Sequence, residues 1–379
     1  MLEPLPTLTT VPFVDLAPAH DDLKGALLEG FEEILESGEF VLGPHVEAFE
    51  REFAVFCGTR SCVGVSSGLD ALRLILLAAG VGERDEVIVP AATFAATLEA
   101  VCQVGARPVV VDVGPLDYTL EPDAVEGAIT RRTRAVLPVH LYGQMADLRT
   151  LVDLAHRFEL IVVEDACQAH GARRHGIRAG SGGAAAAFSF YPAKNLGAMG
   201  DAGGVVTNDL ALAERVRSLR VHGETAKYHH ELVGYTARMD AFQALVLATK
   251  LPLLAGWNRE RAAAAGFYTE ALADVGDLRL PAVAEGSEPV WHLYVVRTAD
   301  PGGLAAFLAE RGIGTGRHYP EPPHLARAYA HLGYARGAFP VAEALSAEGL
   351  SLPLYPGIRE DQLTAVVGAV EEFFAEAKR

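Results

Sequence analysis

Phe188-Ser-Phe-Tyr-Pro-Ala-Lys-Asn-Leu-Gly-Ala-Met-Gly-Asp-Ala-Gly-Gly204 decides how the chain is read. Four alanines at 184–187 run into Phe188, Ser189 and Phe190, which predicts a buried strand reaching its end. Pro192, Gly197, Gly200, Gly203 and Gly204 then predict irregular backbone beside that strand, with Lys194 as its single lysine. A lysine held there loses its proton through desolvation or a neighbouring cation and becomes an amine nucleophile. The competing reading is a surface turn whose lysine points to water. The stretch by itself divides evenly between the two.

The sequence around it shows a strand–helix rhythm. Short apolar runs at 62–65, 86–89, 108–112, 135–139, 160–163 and 204–207 read as strands, and most lack polar alternation. Helical patterns separate them, among them 71–77, 95–104, 148–158 and a helix starting near 210. Such βα spacing predicts an α/β fold with a mainly parallel sheet covered on both faces. Before it, four prolines at 4, 6, 12 and 18 forbid a long first helix, and 20–36 reads as a helix with Leu23, Leu27, Phe31 and Ile34 on one face. After about 238 the pattern changes. A helical region at 240–272 is broken by Pro252, 290–296 looks like an antiparallel strand, 312–318 a turn with a short strand, and 362–377 a helix. The expected organisation is a large domain over 1–250, N-terminal arm included, and a smaller α+β domain over 251–379.

Composition narrows the function classes. The 379 residues hold 49 Asp and Glu against 32 Lys and Arg, a formal net charge of −17, which argues against a nucleic-acid partner. Cys57, Cys62, Cys102 and Cys167 show no CxxC spacing and read as buried free thiols of a reducing compartment. No leader pattern and no run of 18 apolar residues occurs, so a soluble cytoplasmic protein without a membrane partner is expected.

Open parallel sheets bind ligands at the carboxyl ends of their strands. Four groups are expected there. Ser67-Gly68-Leu69-Asp70 opens a helix, where N–H groups and the dipole suit a phosphate, although an ordinary N-cap by Ser67 is the favoured plain reading. Asp165 follows a four-residue apolar strand and either pairs with a buried cation or caps a turn at 166–169. Ser189 with Lys194 is the third group and Phe94 the fourth. Together they suggest pyridoxal phosphate: amide donors for phosphate, a carboxylate for the pyridinium nitrogen, a lysine for the aldehyde, a flat apolar partner for the ring. The histidines lack metal-binding spacing, and no GxGxxG follows the first strand.

A family resemblance covers nearly the whole chain. It runs through Val11-Pro-Phe-Val-Asp-Leu16, Ser37-Gly-Glu-Phe-Val-Leu-Gly43, Gly68-Leu-Asp-Ala-Leu72, Asp85-Glu-Val-Ile-Val-Pro90 and Pro138-Val-His-Leu-Tyr-Gly143. It continues in Glu164-Asp-Ala-Cys-Gln-Ala-His-Gly171, the opening stretch, and Gly200-Asp-Ala-Gly-Gly204. These motifs, in this order, resemble the DegT/DnrJ/EryC1/StrS nucleotide-sugar aminotransferases. The resemblance implies an aspartate-aminotransferase-like fold of type I, with a mainly parallel seven-stranded sheet. It implies that Lys194 forms the Schiff base and shuttles protons, Asp165 pairs with the ring nitrogen, Gln168 lies near the ring hydroxyl and Phe94 stacks on the ring. Ser67, Gly68, Leu69 and Ser189 match the phosphate site, Leu69 through its N–H only, because relatives often carry threonine there. Arg238, in Gly234-Tyr-Thr-Ala-Arg-Met-Asp240, is expected to reach the partner subunit's cofactor phosphate in a homodimer. Thr236 and Ala92 stand where asparagine is usual. A histidine at 194 would mark the dehydratases, and this chain has lysine.

The implied reaction is ping-pong transamination, with L-glutamate converting the cofactor to pyridoxamine phosphate and a nucleotide keto-sugar taking the amine. The Gly68-Leu-Asp-Ala-Leu72 variant, with Gly314-Thr-Gly-Arg-His-Tyr-Pro320, resembles the branch acting at C3 of dTDP-linked 3-keto-6-deoxyhexoses. Amination at C4 of a 4-keto isomer is the runner-up and a keto-cyclitol the third choice. Lys227, Tyr228, His229, Arg317, His318 and Tyr319 are the candidate substrate contacts, with packing an equal reading for Tyr228 and for Trp291. A regulatory protein of the same fold would be expected to lose Lys194 or Asp165, and both are present.

Overall fold

The computed structural model describes residues 10–376. Pro4 and Pro6 lie outside that range, as does the expected helix end at 377. The central sheet has seven strands: β1 (Ser61–Val65), β2 (Glu86–Pro90), β3 (Arg107–Val111), β4 (Thr133–Val136), β5 (Ile161–Asp165), β6 (Ala185–Ser189) and β7 (Gly203–Thr207). Their order is β1-β7-β6-β5-β4-β2-β3. Every neighbour pair is parallel except those of β7, which runs antiparallel to both β1 and β6. The strands lack polar alternation because both faces are covered: residues of β1, β2 and β7 are buried throughout. One face packs under helices Gly68–Ala78 and Ala95–Gln103, the other under Pro44–Cys57, Leu148–Arg157 and Ala241–Lys250.

The antiparallel β7 has a consequence for the site. Because β6 and β7 are antiparallel neighbours, the Lys194 segment joins them at the end of the sheet where the parallel strands finish. Ser67, Asp165 and Ser189 lie at that same end.

A second core gathers Tyr268, Tyr294, Val296, Leu308, Leu350 and Val366 around the antiparallel pair β8 (Tyr294–Arg297) and β9 (Gly349–Leu352). The break expected at Pro252 is a 3-10 turn, Leu251–Leu253, between helices Ala241–Lys250 and Leu254–Ala271. The second helix spans both cores, Leu254 packing in the first and Tyr268 in the second. Val11 packs in the second core, with Val11 N–H donating to Gly312 O (2.9 Å) and Gly314 N–H to Val11 O (2.8 Å). The arm grouped with the large domain from sequence therefore docks, from residue 10 onward, on the C-terminal unit.

Two expected strands differ. The segment 290–293 is not part of β8, because Val290 N–H donates to Gly143 O and Trp291 adopts φ +48° as the chain turns to dock on the 141–143 loop. At 312–318 only isolated bridges form, Val11 with Ile313 and Gly316 with Ser351. A Cβ on Gly314 would stand 2.6 Å from Phe13 N, so the arm occupies the place of a paired strand. Among the described residues no helix is long and apolar enough to cross a membrane, and no cluster of three or more His, Cys, Asp or Glu could hold a metal ion. The four cysteines are free.

Candidate active site

The floor of the site begins where β1 turns into helix Gly68–Ala78. Ser67 is the N-cap, its Oγ accepting Asp70 N–H at 3.0 Å. The plain reading of Ser67 is thus correct, and the phosphate reading stays compatible with it. The first N–H groups of any helix lack intrahelical partners, and here they belong to Gly68 and Leu69. Two glycines let this helix end approach the strands. A Cβ on Gly68 would meet Cys167 Sγ and Ser189 Cβ at 2.8 Å, and one on Gly203 would meet Ser67 O at 2.2 Å. Ser189 is thereby brought beside Gly68.

Asp165 closes β5 and is 7% exposed. Its backbone is clamped to the neighbouring loop, Asp165 N–H donating to Pro138 O (2.9 Å) and His140 N–H to Asp165 O (3.0 Å). Thr97 Oγ1 donates to Asp165 Oδ2 at 2.8 Å and Cys167 N–H to Oδ1 at 3.2 Å, so the carboxylate is oriented. Thr97 was not singled out from sequence. Its hydroxyl also meets that of Thr93, just before the helix, at 2.7 Å. The neighbouring Glu164 is fully buried and takes N–H bonds from Gly180 (2.7 Å), Gly182 (2.9 Å) and Gly183 (2.8 Å), with His140 Nε2 at 3.0 Å. His140 Nδ1 accepts Ala146 N–H, which puts the ring proton on Nε2, toward Glu164. This satisfied network anchors the strand end that carries Asp165.

Lys194 sits in a turn held at several points. Lys194 N–H donates to Tyr191 O (2.8 Å), Ala198 N–H to Phe190 O (2.8 Å), and Lys250 Nζ to Gly197 O (2.7 Å). Asn195 Nδ2 donates to Val290 O (2.8 Å) and Asn258 Oδ1 (2.9 Å), and Asn195 Oδ1 faces His292 Nδ1 at 3.2 Å. The side-chain supports went unseen in the sequence because they converge from 53 to 97 residues away. Lys194 Nζ has no hydrogen bond or ion pair among the described residues. Burial lowers its pKa, against the opposing pull of the Cys167 and Asp165 charges. The surface-turn reading therefore fails.

Three histidines near Lys194 are held neutral. His170 is fully buried between Phe188 (5.2 Å) and Phe190 (5.7 Å), and neither ring nitrogen makes a hydrogen bond. Its only polar lean is toward the Ser189 backbone, without hydrogen-bond geometry. Burial, then the Lys194 charge, pushes its pKa down to about 3. The same two causes, in that order, put His292 well below its usual value and His318 at about 4.

The remaining expected residues divide. Gln168 accepts Tyr142 N–H (2.7 Å) through Oε1 and donates from Nε2 to Tyr319 OH (3.2 Å). Tyr319 also lies 5.2 Å from the half-exposed ring of Phe94, so this substrate candidate belongs with the cofactor candidates. His318 stacks on Phe13 and its Nδ1 meets Ser351 Oγ at 2.8 Å. Arg317, another substrate candidate, donates from its guanidinium to Ser346 O and Ala347 O at the carboxyl end of helix Pro340–Glu348. That negative dipole end attracts the cation. Lys227, Tyr228 and His229 lie on an exposed hairpin, with Lys227 Nζ 5.4 Å above the Tyr228 ring. None of the three makes a hydrogen bond, ion pair or ring contact with the residues around Lys194. Arg238 is half-buried, and its Nε is buried without a partner.

This arrangement offers a half-buried amine without a partner among the described residues, an oriented carboxylate and the first N–H donors of a helix at one sheet end. It fits pyridoxal phosphate: the first N–H groups of helix Gly68–Ala78 suit a phosphate, and the unpaired amine and the oriented carboxylate have complementary tasks on an aldehyde-bearing pyridine.

Comparison with known proteins gives the same direction. Residues 21–371 match the DegT/DnrJ/EryC1/StrS aminotransferase family. The chain is 49% identical to the "Erythromycin biosynthesis sensory transduction protein EryC1" of Saccharopolyspora erythraea, over 95% of this chain and 99% of that one. It is 48% identical to a dTDP-3-amino-3,4,6-trideoxy-alpha-D-glucose transaminase of Streptomyces venezuelae, over 96% of each. The crystal structure of DesV from S. venezuelae superposes with a TM-score of 0.94 at 48% identity, covering 96% of this chain and 98% of that one.

Proposed function

The chain belongs to the DegT/DnrJ/EryC1/StrS aminotransferase family, and from that premise we propose that it transfers an amino group from L-glutamate to C3 of a dTDP-linked 3-keto-6-deoxyhexose, using pyridoxal phosphate. The observation that carries the chemistry is Lys194 Nζ, without a hydrogen-bond or ion-pair partner among the described residues and with its pKa lowered by burial, close enough to the buried Asp165 carboxylate to feel its charge. The C3 position rests on the Streptomyces venezuelae relative named for a 3-amino sugar, alike along nearly its whole length. The Saccharopolyspora relative carries a regulatory name. A regulator has no use for a lysine so placed, so the enzyme reading is preferred.

When bound, pyridoxal phosphate supplies an electron sink for the pair left by a departing Cα proton. Gly68 and Leu69 N–H, with the Ser67 and Ser189 hydroxyls, would hold its phosphate. Asp165, aimed by Thr97 and the Cys167 N–H, would keep the ring nitrogen protonated. Gln168 would face the ring hydroxyl and Phe94 cover the ring face. Lys194 Nζ takes the proton from the amino donor's Cα and returns it on the acceptor side, a task suited to an amine with a lowered pKa. The neutral histidines do not compete for that proton, because His170 and His318 titrate only near about 3 and 4.

We assign a homodimer with composite sites, working in the cytoplasm. Support comes from Tyr228, 80% exposed, Val233, 93% exposed, and the orphaned Arg238 Nε in the adjoining segment. Borohydride treatment of the cofactor-loaded protein, followed by peptide mapping, tests the lysine assignment. The adduct is expected on Lys194, and an adduct on another lysine would overturn it.

A further inference from the structure

On the far side of the Lys194 supports lies a groove of about 320 Å³ between helix Leu254–Ala271 and the hairpin formed by Arg173–Arg174 and Ile177–Arg178. Asn258 forms part of its wall, with Nδ2 donating to His170 O (2.8 Å) and Oδ1 accepting from Asn195. Three guanidinium groups line it: Arg173, Arg178 and Arg259. The hairpin register sets Arg173 directly opposite Arg178. Like charges in that relation weaken a strand pair. Arg178 Nη1 donates to Phe56 O, and its guanidinium lies 5.3 Å from the Phe56 ring centre, so its partners are neutral and its charge is uncompensated. The guanidinium groups of Arg173 and Arg259 have no hydrogen bond or ion pair among the described residues. The lining contains one carboxylate, Glu288, opposite Arg173 on the next strand and beyond ion-pair distance. The groove thus holds three positive charges and one negative charge, in a chain whose net charge is −17.

We infer that this groove binds a doubly charged tetrahedral oxyanion, the phosphoryl group of a small phosphate monoester. Two unmatched charges call for a dianion rather than a single carboxylate. The planar forks of arginine match phosphate oxygens in pairs. The groove is wider than a lone phosphate needs, which favours a monoester over the free ion. Nearby, neutral Asn258 and Phe56 supply a wall for the uncharged part of the ligand. The burial and the Arg173 charge that lower the Arg178 pKa are the strain such an anion relieves.

The experiment uses the cofactor-loaded enzyme, so that the phosphate site beside Gly68 is filled. Inorganic phosphate and glucose 1-phosphate are each titrated calorimetrically at low ionic strength. Saturable binding is expected, tighter for the monoester, and weakened about tenfold or more in the double variant Arg173→Ala/Arg259→Ala. Equal affinity for the two probes supports the dianion site and identifies free phosphate as the source. Glu288→Gln, which removes the opposing charge without altering the fold, should tighten binding severalfold and covers the case of a poorly folded double variant. No saturable binding, or binding unchanged in both Arg173→Ala/Arg259→Ala and Glu288→Gln, overturns the inference.

Discussion

Gly68→Ala tests whether the start of helix Gly68–Ala78 holds the cofactor phosphate. The added Cβ would stand 2.8 Å from both Cys167 Sγ and Ser189 Cβ, and 3.2 Å from Ser189 Cα. Carbon contacts settle at about 3.5–4.0 Å, so relief needs a movement of roughly 0.7–1 Å. Ser189 is held by its pairing with Gly203 of β7, and the β6 residues before it are also paired to β5. The helix end must therefore lift away from the strand ends. A donor–acceptor distance near 2.9 Å would pass about 3.6 Å, beyond a hydrogen bond. Losing one charge-assisted bond of about 1.5–3 kcal/mol weakens cofactor binding by roughly 10- to 150-fold. The assay is titration of cofactor-free protein with pyridoxal phosphate, followed by visible absorbance, alongside a melt without cofactor. Gly368→Ala is the control: it lies in helix Glu360–Glu376 with open space around its Cβ position. It should stabilise by about 0.5–1 kcal/mol and leave binding untouched. Affinity in Gly68→Ala within about twofold of wild type would refute the argument.

His170 makes stability depend on pH. Its folded pKa of about 3 lies below the usual 6.5, so the unfolded chain takes up the proton first as pH falls. Stability is then full above about pH 6.5 and is lost between there and about pH 3, by about 2 kcal/mol at pH 5. His170→Leu should shrink the difference between urea unfolding free energies at pH 8 and pH 5 by that amount, and an unchanged difference would refute the assignment. His292 and His318 shift in the same direction, so part of the decline persists in the variant. For the dimer, mixing inactive Lys194→Ala and Arg238→Ala chains should restore activity, since one site per heterodimer then has both residues. Verified subunit exchange without rescue would count against shared sites.

The sheet was legible because strands buried on both faces have an uninterrupted apolar signature. The ligand-bearing end followed from their direction. Lys194 and Asp165 could be placed at that end because Asp165 closes β5 and Lys194 lies in the turn after β6. Thr97, Asn195 and His292 could not, since their roles depend on partners distant in sequence, and a buried hydrogen-bonded polar side chain looks the same in sequence as an exposed one. Segment 290–293 read as strand from its apolar content, yet the left-handed Trp291 and the contact of His292 with Asn195 turn it toward the site.

The central claim is amination at C3. The direct measurement supplies the loaded enzyme with glutamate and, separately, with a dTDP-linked 3-keto-6-deoxyhexose and its 4-keto isomer, and locates the new C–N bond by NMR. The account predicts a 3-amino sugar from the first and little turnover of the second. Exclusive amination at C4 would contradict it, and turnover only with a keto-cyclitol would remove the nucleotide from the reaction.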